Sequence, residues 1–405
     1  MSERAARLWA LLACAALVAS PWFGHIDDFD AQIYLVVARN MARDHAWFAL
    51  RYLPSVHPVF REHLPFGLWP AAAAIRVFGE WAVPVVYALF TLGTTWVVGR
   101  AGGALGMLLL ATCASMFQYG GRLLLDPPLL FFATAAAVCA LEDRWRAAAV
   151  FAAVGALVKG PFGLLPLACV VIARRRGFWT VPAAAVPLGL FLLVDPAGGW
   201  RTHFLFDQLL ASLTGSRADG ITAWWFPLSV VARRFWPGLP FALYGLRKRD
   251  PLAIACALLV ALLCLPARKW GNHAYVAFPL LAALGGAAVT DARVRWLAPL
   301  TAAGALVFCL GGFGARLLRP PCAFSTSLRE PLDHLPAHEL YVVSKLWDPW
   351  AQLAAERDLV PWPVDALPAN PSLRWAVVEG AAPVPAGWAV TARGGTFQLL
   401  RAAGR

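Results

Sequence analysis

The chain has 405 residues, 60% of them hydrophobic and 14% charged, with a mean hydropathy of +0.61. A water-soluble chain of this size could not hide so much apolar surface, and a disordered chain carries less of it and more charge, so both classes are excluded. The net charge of +12, from 35 Lys+Arg against 23 Asp+Glu, is scattered between apolar runs, as membrane topology requires and a nucleic-acid surface does not.

Residues Met1 to Phe23 combine Arg4 and Arg7 with an apolar stretch and a weak Ala19-Ser20-Pro21 cleavage pattern. The reading adopted is a first membrane helix rather than a signal peptide. Hydropathy then gives about eleven candidate crossings. They begin near residues 8, 81, 102, 127, 147, 162, 178, 236, 251, 274 and 296. With the N-terminus in the cytoplasm, that side receives Arg100, the Glu142-Asp143-Arg144-Trp145-Arg146 run, Arg174-Arg175-Arg176, Arg247-Lys248-Arg249, Arg293 and Arg295. This is the positive-inside pattern. Two runs, Ala147 to Val158 and Phe162 to Ala173, are short for a hydrocarbon core of about 30 Å at about 1.5 Å rise per residue. Tilt, extension into flanking residues, or a re-entrant pair around Pro161 all answer that shortfall, and none changes the parity of the other loops.

Three segments fall on the outer side: Gly24 to Glu80, about Asp195 to Trp225, and a tail from Ala315 to Arg405. In the tail Glu339 to Ser344 and Leu373 to Val378 read as strands, Trp350 to Asp358 as a helix, and Trp388 to Arg401 as a hairpin turning at Gly394-Gly395. Pro-rich stretches at 361–371 and 382–385 read as connections. The organisation predicted is an α-helical polytopic membrane domain over 1–314, with juxtamembrane helices in its first outer loop, and a small extracytoplasmic α/β domain over 315–405. Seven of the eight cysteines lie in apolar runs, where a thiol is a small hydrophobe; only Cys322 lies outside them, so no disulfide within the tail can form.

The first outer loop carries His25, Asp27, Asp28 and Asp30. As a helix, Asp27, Asp30, Tyr34, Ala38 and Met41 share one face. Spacing alone favours an interfacial helix whose carboxylates suit its positive N-terminal end, because acidic helix starts are common. Further on, Glu62 and His63 precede a short helix; ligation of a metal, a phosphate contact and a solvated loop all remain open there. Arg122 and Asp126 stand at the outer mouth of the fourth crossing, and Lys159 precedes Gly160-Pro161. An ion near mid-membrane costs at least about 2.5–3.5 kcal/mol, so Lys159 needs a partner. Asp126 and a lipid phosphate are the two candidates. The same side collects His203, Asp207, Gln208, Arg217, Arg233-Arg234 and Arg268-Lys269-Trp270-Gly271-Asn272-His273-Ala274-Tyr275. Cations on the outer side run against the topology rule. A bound anion explains them, as do snorkelling to headgroups and docking to the acidic part of the first loop.

At these residues the chain resembles the glycosyltransferase C superfamily, in the branch of the protein O-mannosyltransferases and the lipid A aminoarabinose transferase. The motifs, in order, are Asp30-x3-Tyr34-x3-Ala38-x2-Met41; Glu62-x2-Pro65-x-Gly67-x-Trp69 with Phe78-Gly79; Asp126-x-Pro128-Leu129; and Leu157-Val158-Lys159-Gly160-Pro161-Phe162-Gly163-Leu164-Leu165-Pro166. A trace of Lys269, Tyr275 and Pro279 extends the likeness over about residues 8 to 310. The resemblance implies a polyprenyl-phosphate-linked sugar as donor and a lipid, glycan or protein acceptor. It implies Asp30 as general base and Asp126 as the group orienting Lys159 or the acceptor. Lys159, with His63, Arg122, Arg234 and Lys269, would hold the donor phosphate, while Tyr34, Glu62 and Tyr275 would shape the cavity.

The chain also departs from the family. Glu-Lys-Pro-Pro appears as Glu62-His63-Leu64-Pro65, so His63 stands where a lysine is expected, and Asp207-Gln208-Leu209-Leu210-Ala211-Ser212 lacks a family histidine and arginine. A divalent cation is therefore an open question, with Glu62 and His203 as its candidate ligands. Two other classes compete with the enzyme: a lipid-linked-sugar transporter or flippase, which calls for inverted repeats or matched broken helices, and an inactive scaffold relative, which the lost residues permit.

Overall fold

The computed structural model describes residues 3–19, 28–55, 58–113, 120–217, 219–289, isolated positions from 304 to 336, and 338–344, 353–355, 359–368, 371–380, 384–394 and 397–402. His25, Asp27, Arg293, Arg295, Cys322, Gly395 and the start of the run near 296 lie outside them. Two compact units emerge, one of residues 1–22 with 61–316 and the other of residues 23–60 with 317–405. The second unit thus takes in most of the first outer loop as well as the tail.

The first unit is helical. Helix α1 spans Glu3–Ala19, and after the first outer loop come α3 (Trp69–Phe78) and α4 (Ala82–Ala111). The α4 stretch is not one rod: Gly103, at φ 64° and ψ −169°, breaks it. A Cβ on Gly99 would meet Met107 Sδ at 2.6 Å, so the chain reverses there, as two separate runs beginning near 81 and 102 require. A Cβ on Gly286 would lie 2.2 Å from the Gly102 carbonyl, so glycine allows the backbones of α4 and a later helix to touch.

Next come α5 (Asp126–Leu141), α6 (Trp145–Lys159), a 3₁₀ turn at Gly160–Gly163, α7 (Leu165–Arg174) and α8 (Thr180–Val194). Prolines in the first turn of α5 need no amide partner there, and Asp126 faces the positive end of the helix. A tight turn with Asp143 at φ 60° returns the chain into α6. The short pair of runs therefore forms a hairpin whose tip, at 160–163, folds back on α6: a Cβ on Gly163 would stand 2.1 Å from the carbonyl carbon of Gly155. Arg174, at the end of α7, returns to the α5–α6 turn and pairs with Asp143 at 2.7 Å. A π-helix over Arg201–Leu210 follows, then α9 (Phe226–Arg234), α10 (Leu239–Leu246), α11 (Pro251–Leu263), a 3₁₀ turn over Gly271–Ala277 and α12 (Phe278–Ala288). Among the described residues two stretches, Ala82–Ala111 and Trp145–Gly163, are long and apolar enough to cross a membrane. The predicted count of about eleven crossings is not reproduced, because most of the remaining apolar helices are shorter than a hydrocarbon core demands.

The second unit holds α2 (Phe29–Asp44) and a five-stranded sheet in the order β2-β1-β3-β5-β4. Strands β1 (Glu339–Val343), β3 (Trp375–Glu379) and the hairpin β4 (Trp388–Gly394)–β5 (Phe397–Ala402) lie where the sequence pattern puts them. Of the predicted helix at 350–358, residues 353–355 are described and helical. Strand β2 (Val360–Pro363) corrects one expectation, since it occupies the start of the Pro-rich stretch read as a connection. It pairs only with β1, at the sheet edge, where proline is tolerated. Helix α2 joins this unit through Arg39, whose guanidinium donates to the carbonyls of Ala354 and Ala355 at 3.1 and 3.0 Å.

Candidate active site

The centre of the site is a buried ion pair. Lys159 Nζ donates to Asp126 Oδ1 at 2.8 Å, with the two side chains only 12% and 9% exposed. The pair follows from the antiparallel packing of α5 and α6, which sets the first residue of one beside the last residue of the other. Of the two partners open to Lys159 from sequence, the structure supplies the carboxylate.

Three segments close around this pair. The Pro65–Gly67 turn lies against it, since a Cβ on Gly67 would meet the Leu125 side chain at 2.4 Å and Val158 at 3.3 Å, the residues just before Asp126 and Lys159. His63 enters from this segment, whereas Glu62 is exposed. The π-helix seats Phe204 on Gly160, which has φ +61° and no room for a side chain, as a Cβ there would be 2.4 Å from the ring. His203 next to it lies 3.1 Å from Asp207 Oδ2 and 3.5 Å from Gln208 Nε2. The five-residue step to Gln208 is a product of π geometry, which recurs at functional sites. Gln208 in turn accepts from Arg217 Nη1, and Arg217 holds Asp219 through two bonds of 2.8 Å.

The third segment runs from Arg268 to the Gly271–Ala277 turn. Ile221 and Lys269 exchange backbone hydrogen bonds, tying it to the loop that carries Arg217. Arg217 lies 4.7 Å from the Trp270 ring centroid. The His273 ring packs between Phe162, at 4.4 Å, and Trp270, at 5.2 Å. Lys269 is 3% exposed, and among the described residues its ammonium has no hydrogen-bond or ion-pair partner. Asn272 Oδ1 is also buried without a donor.

The electrostatics record the crowding of cations. Burial first, then the charges of Lys159 and Arg217, and last the His203 imidazole, push His63 down to about 3. The same order of causes, with His63 as the neighbouring imidazole, holds His273 at about 3. Both rings are neutral at physiological pH, and the Arg217 guanidinium keeps the Asp219 carboxyl below its ordinary value. Ammonium and guanidinium groups beside neutral imidazoles are suited to an oxyanion with several acceptor oxygens. Among the described residues no three His, Cys, Asp or Glu side chains come together as metal ligands.

The remaining predicted residues are placed as follows. Arg122 is half-buried in the segment just ahead of α5, and Arg234 ends α9, which packs on the 271–277 turn. Tyr275 is buried in the apolar core, 5.5 Å from Phe278. Asp30 and Tyr34 belong to the second unit: Asp28 caps α2 by accepting from the Ala31 amide at 3.2 Å, Asp30 is exposed in the first turn, and Tyr34 is buried edge-on to Phe60. Tyr34, Ala38 and Met41 are all buried, as the shared face requires. Arg217 and His273 are the additions. The sequence puts them on the outer side but gives them no part, because the contacts that bring them to Lys159 run through residues distant in the chain.

No protein-family model and no curated protein matches the sequence. Solved structures do match. The crystal structure of ArnT from Cupriavidus metallidurans bound to undecaprenyl phosphate is similar at a TM-score of 0.71 and 16% identity, over 99% of this chain and 98% of that one. ArnT in the apo state gives 0.66 and 16%, with 98% of each chain covered. The archaeal oligosaccharyltransferase AglB from Archaeoglobus fulgidus, in complex with an inhibitory peptide and a dolichol-phosphate, gives 0.54 and 12%, over 92% of this chain and 69% of its own. The chain therefore shares the fold of these solved structures over nearly its whole length.

Proposed function

We propose that the protein is a membrane glycosyltransferase that moves a sugar from a polyprenyl-phosphate carrier to an acceptor on the outer face of the cytoplasmic membrane. The observation that carries this reading is the buried Lys159–Asp126 pair, set among Arg217, Lys269 and two neutral imidazoles, in a fold shared with an enzyme crystallised with undecaprenyl phosphate. In this reading the chain crosses the membrane about eleven times, with short and tilted helices completing the count. The membrane part takes residues 1–314 and the outer α/β part residues 315–405.

Asp30 accepts the proton of the acceptor hydroxyl as its oxygen attacks C1 of the sugar. The C1–O bond to phosphate breaks with inversion, and its electron pair stays on the phosphate. The head group thereby changes from a singly charged diester to a monoester with a second negative charge. Lys159, with Lys269, His63, Arg122 and Arg234, takes up that charge, and Asp126 fixes the Lys159 ammonium. Tyr34, Glu62 and Tyr275 shape the surroundings of the reacting groups.

The test is product formation by the purified protein with a radiolabelled polyprenyl-phosphate sugar. Asp30→Asn is expected to abolish transfer with little loss of donor binding, and Lys159→Ala to weaken binding as well; full activity in both variants refutes the assignment. Transport without bond cleavage, or binding without either, would replace the enzyme by a flippase or a scaffold. Accessibility labelling that puts residues 30 and 159 on opposite sides of the bilayer would also overturn the mechanism.

A further inference from the structure

Most charges around Lys159 are answered from within the site. Asp126 takes the Lys159 ammonium, Asp219 takes the Arg217 guanidinium through two bonds of 2.8 Å, and Asp207 lies 3.1 Å from the His203 ring. The remaining carboxylate of these segments, Glu62, is exposed. Two polar groups are left over, and both belong to the segment from Arg268 to Ala277. Lys269 is 3% exposed, and among the described residues its ammonium has no hydrogen-bond or ion-pair partner. Asn272 Oδ1 is buried with no donor. Backbone bonds with Ile221, at 2.8 and 3.0 Å, fix where Lys269 leaves the chain, and the His273 amide donates to the Trp270 carbonyl at 3.1 Å to form the turn that carries Asn272. That turn packs on the helix that Asp126 begins, with His273 against Phe162. Three residues reach at most about 10 Å, so one sugar phosphate is long enough to meet both groups.

A buried donor and a buried acceptor that both stand single mark a place that a ligand completes. Their chemistry sets which ligand. The ammonium calls for an anion, and the amide oxygen for a hydrogen-bond donor. A sugar joined to a phosphate diester supplies both, with one negative charge for Lys269 and hydroxyls for Asn272. An amino sugar instead brings a second ammonium beside Lys269, and the buried carboxylate of these segments, Asp126, is already paired with Lys159. Resting on the glycosyltransferase reading, we propose that the site selects a neutral, hydroxylated sugar over an amino sugar, with Asn272 Oδ1 accepting from a sugar hydroxyl while Lys269 holds the diester. Asn272 is then a specificity residue for the transferred sugar.

The test uses the purified full-length protein and undecaprenyl-phosphate esters in matched pairs, in which one hydroxyl of a hexose or a pentose is replaced by an amine. At neutral pH the hydroxylated ester is expected to bind at least about tenfold more tightly than its amino counterpart and to show the higher kcat/KM. Equal or tighter binding of the amino esters overturns the proposal, and this comparison needs no variant. Asn272→Asp puts a carboxylate where the amide stood, and is expected to move the preference towards the amino ester by about tenfold. Asn272→Ala is expected to weaken the hydroxylated ester more than undecaprenyl phosphate itself, which carries no sugar. A residue with only a structural role shifts all these ligands alike, so unchanged ratios in both variants overturn the role given to Asn272. Preferential binding of the hydroxylated esters without transfer from any of them removes the transfer reading and keeps the sugar site. Transfer from both members of a pair with equal kcat/KM removes only this inference, and binding of neither removes both.

Discussion

The two ends of the helical unit handle charge in opposite ways. At one end Arg100 and Arg144 meet Glu142, Arg174 meets Asp143, and Lys248 donates to the Ala287 carbonyl at 3.1 Å. These side chains are partly exposed, so solvent or a carboxylate satisfies each. At the other end Lys159 and Asp126 pair out of water, Arg217 holds Asp219, and Lys269 and two imidazoles that burial and cations keep neutral lie in the same segments. A fold does not gain stability by burying excess charge of one sign. The difference between the ends marks the second as a place prepared for an anion, and it can be attacked one residue at a time.

The hardest blow falls on the buried pair. Lys159→Ala leaves Asp126 ionised and enclosed, and is expected to cost about 3–5 kcal/mol of stability, against near recovery in the Lys159→Met, Asp126→Asn double variant. Thermal unfolding in detergent reads both, and a single-variant loss below about 1 kcal/mol would mean that this end is as solvated as the other. Next in size is Gly163→Ala. Its Cβ would lie 2.1 Å from a carbonyl carbon of α6, so the hairpin tip must move, at about 1–3 kcal/mol, and Lys159 with it. The expected signature is a loss of polyprenyl-phosphate affinity together with stability, which a purely structural turn would not show.

How much of this was legible in the sequence depends on whether the contact is local. The Lys159-Gly160-Pro161-Phe162 stretch announces its own turn, Asp126-Pro127-Pro128 its own helix start, and the alternation at 388–401 its own hairpin, because each is fixed by residues next to one another. Strand β2 was hidden, since Pro361 and Pro363 signal a connection and only pairing with β1 makes them an edge strand. The reversal at Gly103 is visible only through Gly99 meeting Met107. Phe162 against His273 and Phe204 against Gly160 join residues more than 40 positions apart, so no spacing rule could find them. The sequence left His63 open between a ligand and a solvated loop and gave His273 only a side of the membrane, and it is their burial among cations that sets their charge.

That burial gives a pH test of intermediate size. His63 and His273 have folded values near 3, below the ordinary imidazole value of 6.5. The unfolded chain therefore binds more protons than the folded one between those limits, and stability falls as pH is lowered from 6.5 towards 3. Glutamine at both positions is expected to flatten this part of the profile in thermal unfolding, while adding undecaprenyl phosphate at low pH restores part of the loss. A double variant that keeps the full acid sensitivity would show that the acid response comes from carboxylates. Lys269→Met should act the other way at neutral pH: it removes a charge that no carboxylate among the described residues pairs, and is expected to leave stability within about 1 kcal/mol. Its affinity for the anionic lipid should nevertheless drop.

The smallest effect belongs to the opposite end, and it is the control that gives the larger ones their meaning. Glu142→Gln removes the carboxylate that Arg100 and Arg144 share, yet both guanidiniums reach water, with 37% and 54% of their side chains exposed. Screening and solvation then hold the cost to less than about 1 kcal/mol, and added salt should erase most of it. Sugar transfer and lipid-phosphate binding should not change. If Glu142→Gln instead matched Lys159→Ala in lost stability or lost binding, the two ends would be electrostatically equivalent, and the excess of cations around Asp126 would have no more claim on a ligand than the arginines around Glu142.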